Sequence, residues 1–352
     1  VGEILSKASF EETRKMQLTG RSTYIVSLPK KWVKEMKLNA GDQLVIKRQS
    51  EAALLIAPKS KKVVSEKDVS LKISFKDNPD AIARKIISLY LIGFNTIRLI
   101  AENDRISSEQ RRVIKEIVRK KLIGAEIITD SPNEMNLKIL LSYPELSIGT
   151  ALNRMCSLAR AMHRDALTAL SELNYDLAKS IIDLDDEVDR FNLYIVRQLK
   201  SAVQDPYEIK EMGLSNPRDC LGYRLVTKSV ERIADHAAKI AEKVLVFKNP
   251  LNKETINKLL RINEFADSIF EMAVNALFSK NYNLAEETLE KNHEMENLES
   301  EAVAHLLKQG YSTEDISNLR LILESIRRIA EYAEDIAEIV LNLSITDLLS
   351  KN

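Results

Sequence analysis

The sequence predicts a multidomain chain in three parts: a small basic β-rich module, a small central α/β domain, and an all-α body of two tandem three-helix bundles. Three observations carry this prediction. Up to about residue 58, apolar and polar residues alternate in runs too short for helices. Between residues 69 and 143 the apolar period switches between two and 3.6 residues, as strands and helices taken in turn require. From residue 144 on, only the helical period remains, and its pattern recurs about one hundred residues later. A chain of 352 residues is also longer than one core comfortably serves.

Charge is distributed unevenly along the chain. Lys and Arg number 52, as do Asp and Glu. Up to Lys62 there are 13 basic against 6 acidic residues, which leaves 39 against 46 beyond it. This asymmetry points to a basic module built for an anionic partner and joined to an acidic body, the alternative being ordinary surface charge that happens to segregate. Cys156 and Cys220 are the two cysteines, too far apart for a Cys-x-x-Cys zinc or redox motif and too few for a disulfide framework. No stretch approaches 18 apolar residues and the N-terminal segment has no signal-peptide core, so a cytoplasmic protein without membrane insertion is expected. Scarce aromatics, 5% of the chain, favour helices packed through aliphatic stripes.

In the first module (1–58), "TRKMQLTG" and "STYIVSLP" alternate as strands. Pro29 suits a first helical turn, and "KKWVKEMKL" has an apolar face of Trp32, Val33 and Met36. Gly41 ends that helix, after which "QLVIKRQ" and "ALLIAPK" predict two further strands. The charged stretch Pro58–Asp68 lacks apolar periodicity and is expected to be a flexible linker. In the second part (69–143), "VSLKISF", "TIRLIAE", "AEIITDS" and "LKILLSY" are expected as strands. Two helices, closed by Gly93 and Gly124, separate them. Both glycines follow helices rather than precede them, so no phosphate-cradling loop is expected here.

The helical part divides into repeats at 144–248 and 249–345. Arg154–Asp189 aligns with Arg261–Glu296 at one constant offset, bringing "NYDLA" onto "NYNLA" and Glu187 onto Glu294. Further on, "ERIADHAAKIAE" matches "RRIAEYAEDIAE" at a shorter offset, so the first copy holds about 11 extra residues between its second and third helices.

Asp185 and Asp189 stand four apart on one predicted helix, and Glu231 and Asp235 four apart on the next. Carboxylates at that spacing share a helix face and repel by roughly 0.2–0.5 kcal/mol. Antiparallel helices that join the two pairs would make a four-carboxylate patch. Such all-oxygen donors select hard ions such as iron, manganese, magnesium or calcium, and a multinuclear cluster is conceivable. A solvated acidic face relieved by Arg190, Arg232 or Lys228 is the alternative. His236 points about 100° away from Asp235, and with His163, His293 and His305 it is expected at the surface or in packing. The Glu-x-x-His signature of di-iron bundles is absent at these pairs, and no Ser/His/Asp or Cys/His constellation stands out; an enzyme is not expected. In the second repeat the four positions become Asn292, Glu296, Arg327 and Glu331, with Arg327 expected to neutralise charge from inside.

Through "LDDEVDRF" and "ERIADHAAKIAE" the helical half resembles the PhoU family of phosphate-signalling regulators, over about residues 144–343. That resemblance implies paired three-helix bundles and a multinuclear metal site at Asp185, Asp189, Glu231 and Asp235. The first module, through "TRKMQLTGRSTYIVSLP" and "LNAGDQLVIKR", resembles SpoVT/AbrB domains, in which two chains interleave swapped hairpins into one β-barrel that binds DNA. The resemblance implies a homodimer and DNA contacts from Arg14, Lys15, Arg21, Lys30 and Lys34, with Lys31 beside Lys30. Lysines on the helix favour phosphate contact over bidentate guanine readout. Together the two resemblances are those of an archaeal phosphate-uptake regulator. The alternative is a cytosolic adaptor that docks on a phosphate ABC transporter ATPase or a sensor kinase without touching DNA. No family is assigned to the middle segment from its residues.

Overall fold

A computed structural model describes residues 11–50, 53–59, 67–102, 105–141, 146–204, 209, 214 and 216–349. The expected linker (58–68) and the extra loop of the first repeat lie mostly outside the described residues. The chain falls into two compact units, on either side of residue 65.

In the first unit, β1 (Gln17–Thr19) and β2 (Thr23–Ile25) form an antiparallel hairpin, turned at Gly20 with φ of 66°. A single-turn-and-a-half helix follows, α1 (Lys30–Glu35), started by Pro29. β3 (Leu44–Ser50) and β4 (Ala53–Pro58) form a second antiparallel pair. The first two strands are three residues each, shorter than the alternation in the sequence allows. Each hairpin is a separate two-stranded sheet, and Pro29 is the one buried position among the described residues of this unit.

The second unit begins with the α/β domain: β5 (Asp68–Ile73), α2 (Pro79–Ile92), β6 (Thr96–Ala101), α3 (Ser108–Lys121), β7 (Ala125–Ser131) and β8 (Glu134–Ile139). The sheet order is β5-β6-β8-β7, with β5 parallel to β6 and the other pairs antiparallel. Alternation decides the faces. Ile97, Leu99, Met135 and Leu137 are buried under the helices, while Arg98, Ile100 and Lys138 lie exposed on the open face. Local signals fix the helix ends. Asn78 caps α2, with Pro79 following and Gly93 closing it at φ of 102°; a Ser107–Gln110 capping box starts α3. The last strand starts three residues earlier than its apolar run, because Ser131 pairs with Glu134 across a two-residue turn, Pro132-Asn133.

The helical body consists of α4 (Ile148–Glu172), α5 (Tyr175–Gln204) and α6 (Asp219–Val244), then α7 (Lys253–Ser279), α8 (Tyr282–Asn292), α9 (Met295–Leu306) and α10 (Thr313–Leu349). The second repeat therefore departs from three helices: its middle helix is interrupted at His293-Glu294. The recurring "NY(D/N)LA" segment is a helix-to-helix joint. Leu173 and Lys280 close α4 and α7 in the left-handed conformation, at φ of 52° and 49°. Asn174 and Asn281 then accept the backbone N–H of Leu177 and Leu284, capping the next helix.

The repeats face each other through equivalent positions, the mark of a two-fold relation. Arg160 pairs with Asp267, its own counterpart in the second repeat, at 2.7 Å. His236 stacks near Tyr332, likewise its counterpart, with ring centroids 5.8 Å apart. One continuous apolar core runs through both repeats. No helix among the described residues is long and apolar enough to cross a membrane.

Candidate functional site

α5 and α6 pack along their lengths, and the apolar faces that join them carry the two carboxylate pairs to one place. Asp185 and Asp189 flank buried Val188 on α5; Glu231 and Asp235 flank buried Ile233 and Ala234 on α6. Glu231 is itself buried, at 8% exposure. Burial, then the neighbouring Asp235 and Asp189 carboxylates, push Asp185 up to about 7. Burial and Glu231 push Asp235 up to about 6. Asp185 Oδ1 is buried without a hydrogen-bond partner among the described residues. The two pairs thus share one patch, and the side chains of Asp185 and Asp235 act on each other.

Two lysines balance the patch. Lys228 pairs with Glu231 one turn away. Lys121, the last residue of α3 in the α/β domain, reaches across to Asp186 at 2.6 Å and Asp189 at 2.7 Å. Burial pulls the Lys121 pKa down, but hydrogen bonds to these two carboxylates carry it above its ordinary value. Among the described residues no group of three or more His, Cys, Asp or Glu side chains is drawn closely enough to hold a metal ion. The donor set has the chemistry that hard cations select, though not the close spacing. It is all oxygen, partly desolvated, mutually repelling, and includes an unpartnered carboxylate oxygen.

In the second repeat the corresponding patch is closed by its own side chains. Arg327 pairs with Glu331 and, at 3.3 Å, with Glu299. Arg328 also reaches Glu331, at 2.9 Å, and Asn292 donates to Glu334. Here the arginine neutralises the patch as the sequence leads one to expect. His163 and His305 are buried, and His305 Nε2 lies 3.1 Å from the Thr255 hydroxyl, so both are packing residues.

Lys121 is the site residue that sequence spacing does not reveal. It lies far from Asp189 along the chain, in a different domain, and its one signal is the basic run at the end of α3. Arg197 was equally hidden. It leaves α5 buried to donate to Phe94 O at 2.9 Å and Asn95 Oδ1 at 2.8 Å, and also to Tyr90 O, fastening the bundle to the end of α2.

In the first unit Arg14, Lys15, Arg21, Lys30 and Lys34 are all exposed. Arg14 pairs with Glu12, and Lys31 lies 4.0 Å from Glu35. Lys30 and Lys34 sit one turn apart on α1, and Arg21 lies in the β1–β2 turn.

A duplicated helical bundle with a carboxylate patch in one copy, preceded by a small basic hairpin module, defines a multidomain protein of the tandem-bundle class. The PhoU domain model matches residues 152–244 and 259–340, one match to each repeat. A model described as "Antidote-toxin recognition MazE, bacterial antitoxin" matches residues 17–63. The chain belongs to the PhoU family, with an AbrB/MazE-like domain at its N-terminal end. It is 24% identical over 178 residues to a phosphate-specific transport system accessory protein PhoU homolog of Zymomonas mobilis, covering 49% of this chain and 73% of that one. A homolog of the same description from Deinococcus radiodurans is 27% identical, over 47% of this chain and 68% of its own. A Pseudomonas putida homolog is 28% identical, and the match spans 56% of its length. Among solved structures, the phosphate transport system regulatory protein PhoU from Streptococcus pneumoniae aligns over 56% of this chain and 94% of its own, at 19% identity and a TM-score of 0.49.

Proposed function

We propose that this chain is a phosphate-responsive regulator of phosphate uptake, acting in the cytoplasm and without enzymatic activity. It binds DNA as a homodimer through the first unit and receives its signal at the helical bundles. The family and the relatives named for phosphate-specific transport support the phosphate link. One observation carries the DNA reading: a small unit whose basic side chains, among the described residues, all face solvent, on hairpins whose apolar residues a second copy would cover.

At the other end, Asp185, Asp189, Glu231 and Asp235 would hold a hard cation of the iron, manganese, magnesium or calcium kind, singly or as a cluster. A cation bound there would reverse the sign of the patch and would offer phosphate or an anionic partner an electrophilic contact. The chain's own contribution is to desolvate these carboxylates, leaving Asp185 Oδ1 without a partner and Asp189 and Glu231 held by lysines. Signal transfer to a phosphate ABC transporter ATPase or a sensor kinase would use the same bundles.

Replacing Arg14, Arg21 and Lys34 by Glu tests the DNA half. Neutralising about four phosphates per module gives a slope of log K against log salt of roughly −3.6, doubled in a dimer. The wild-type chain is expected to be retained on duplex DNA at low salt and released steeply as salt rises, and the triple variant not to be retained. Retention that is unchanged in the variant would remove the DNA reading and leave the adaptor that works by protein contact alone.

A further inference from the structure

The sheet of the α/β domain is covered on one face only. There α2 and α3 lie over Ile97, Leu99, Met135 and Leu137, and Leu193 of α5 packs against the same core from the helical body. The other face carries the alternate residues of each strand. Three of these are basic and exposed: Lys72 on β5, Arg98 on β6 and Lys138 on β8. The register sets them on a diagonal. Arg98 stands between Ser70 and Asn136, with Lys72 two residues beyond Ser70 and Lys138 two residues beyond Asn136, towards opposite ends of the sheet. A step of two residues and one strand is about 8 Å, so the diagonal runs about 16 Å.

Several basic side chains of α3 are matched by acids. Arg111 and Lys115 pair with Asp130, and Arg112 with Glu109 and Glu116. Lys72, Arg98 and Lys138 have no such partner among the described residues. The acids of the open face stand at its rim, Asp68 and Glu126 on the edge strands and Glu134 at the start of β8. Glu126 is opposite Lys138 in the register, yet the two form no ion pair. Residues 67–141 hold 14 Lys and Arg against 10 Asp and Glu, so the positive surplus of the chain extends past the first unit into this domain. The rows of the face carry no aromatic ring on which unpaired bases could stack, which favours the phosphates of a duplex over a single strand. We propose that the open face of this sheet is a second contact for duplex DNA, with Lys72, Arg98 and Lys138 laid along one phosphate backbone. Their run spans about five phosphates of one strand, at 3.4 Å of helix axis each. The inference rests on the reading of the chain as a DNA-binding protein. It adds sequence-independent affinity to the contact made by the first unit and does not replace that contact.

Salt dependence counts such contacts directly. Binding of the full chain to a fluorescent duplex of mixed sequence is followed by anisotropy across a series of salt concentrations. The variants are Lys72→Gln, Arg98→Gln and Lys138→Gln combined, the single Arg98→Gln, and a control that combines Arg84→Gln, Lys85→Gln and Arg119→Gln. The control removes the same charge from exposed positions of α2 and α3, off the open face. The slope of log K against log salt is expected to become shallower by about 2.7 for each bound chain in the sheet triple variant and by about 0.9 in Arg98→Gln. The control is expected to keep the wild-type slope. Because Arg98→Gln leaves the rest of the face intact, it carries the test even if the triple variant folds poorly. A wild type that binds DNA with a slope that neither sheet variant changes, or that the control lowers equally, overturns the second contact and spares the DNA reading of the first unit. A wild type that does not bind the duplex at low salt overturns both.

Discussion

His163 shows what one side chain costs inside an otherwise aliphatic core. It is fully buried on α4, and neither ring nitrogen has a hydrogen-bond partner among the described residues. Burial, partly offset by Asp267 and Asn263 beside it, brings its pKa down to about 4. The folded-state value lies below the unfolded value of about 6.5, so the unfolded chain takes up a proton first. Stability contributed by neutral His163 is therefore complete above about pH 6.5 and is lost as the pH falls towards 4, by up to about 3 kcal/mol. Its counterpart in the second repeat is Phe270. His163→Phe is expected to flatten the acid limb of a denaturant-stability profile between pH 6.5 and 4 while leaving the value at pH 8 nearly unchanged. An acid limb as steep as that of the wild type would mean that another group titrates there. The sequence leaves His163 open between the surface and packing; it is buried with its neighbours Met162, Ala166 and Leu167. The sequence carries no sign that the two nitrogens go without partners, since that depends on what α7 brings opposite.

Between elements, the contact of α4 with α7 explains how a duplicated sequence keeps its two copies from pairing like with like. Arg160 and Asp267 occupy equivalent positions with opposite charge, and so do Arg164 and Glu271. Asp267 receives both arginines, at 2.7 and 2.6 Å, and Arg160 also reaches Glu271. A repeat facing its own copy would set arginine against arginine. Asp267 has a side chain only 10% exposed, so a second carboxylate in place of Arg160 should leave a poorly solvated like-charge pair with Arg164 alone to balance it. Arg160→Asp is expected to cost about 3–5 kcal/mol, and the double swap with Asp267→Arg to recover part of that loss, a coupling that a double-mutant cycle in denaturant measures directly. Additive losses would show that the pair contributes no more than its surroundings. The constant offset between the copies makes the duplication legible, and the "NY(D/N)LA" joint with it, because local capping chemistry recurs. That the copies meet through their equivalent positions is a tertiary fact. So is the arrival of Lys121 at Asp189 from another domain, which no spacing along the chain encodes. The early start of β8 was open to sequence reading in principle, since Pro132-Asn133 is a turn signal, but the apolar run after it drew the boundary downstream.

On the scale of the whole molecule, the two units differ in self-sufficiency. The helical body and its α/β domain each bury a continuous core. In the first unit Leu18, Tyr24, Ile46 and Leu54 are each more than half exposed, and a two-stranded hairpin in water is marginal without a second layer. The alternation of the sequence marks these residues as inward-facing, yet a single chain gives them nothing to face. Interleaving with a second copy would supply the missing layer and set two basic surfaces side by side, doubling the phosphates a site can contact. Each buried Ile or Leu would then contribute about 2 kcal/mol per chain, and a charge placed there would forfeit that and oppose association. The full chain is expected to sediment as a dimer, and Ile46→Asp combined with Leu54→Asp to sediment as a monomer that keeps its helical circular dichroism and loses retention on DNA. A wild type that is monomeric at the concentrations at which it binds DNA, or a double variant that stays dimeric, would show that the exposed faces of the first unit are covered by something other than a second copy.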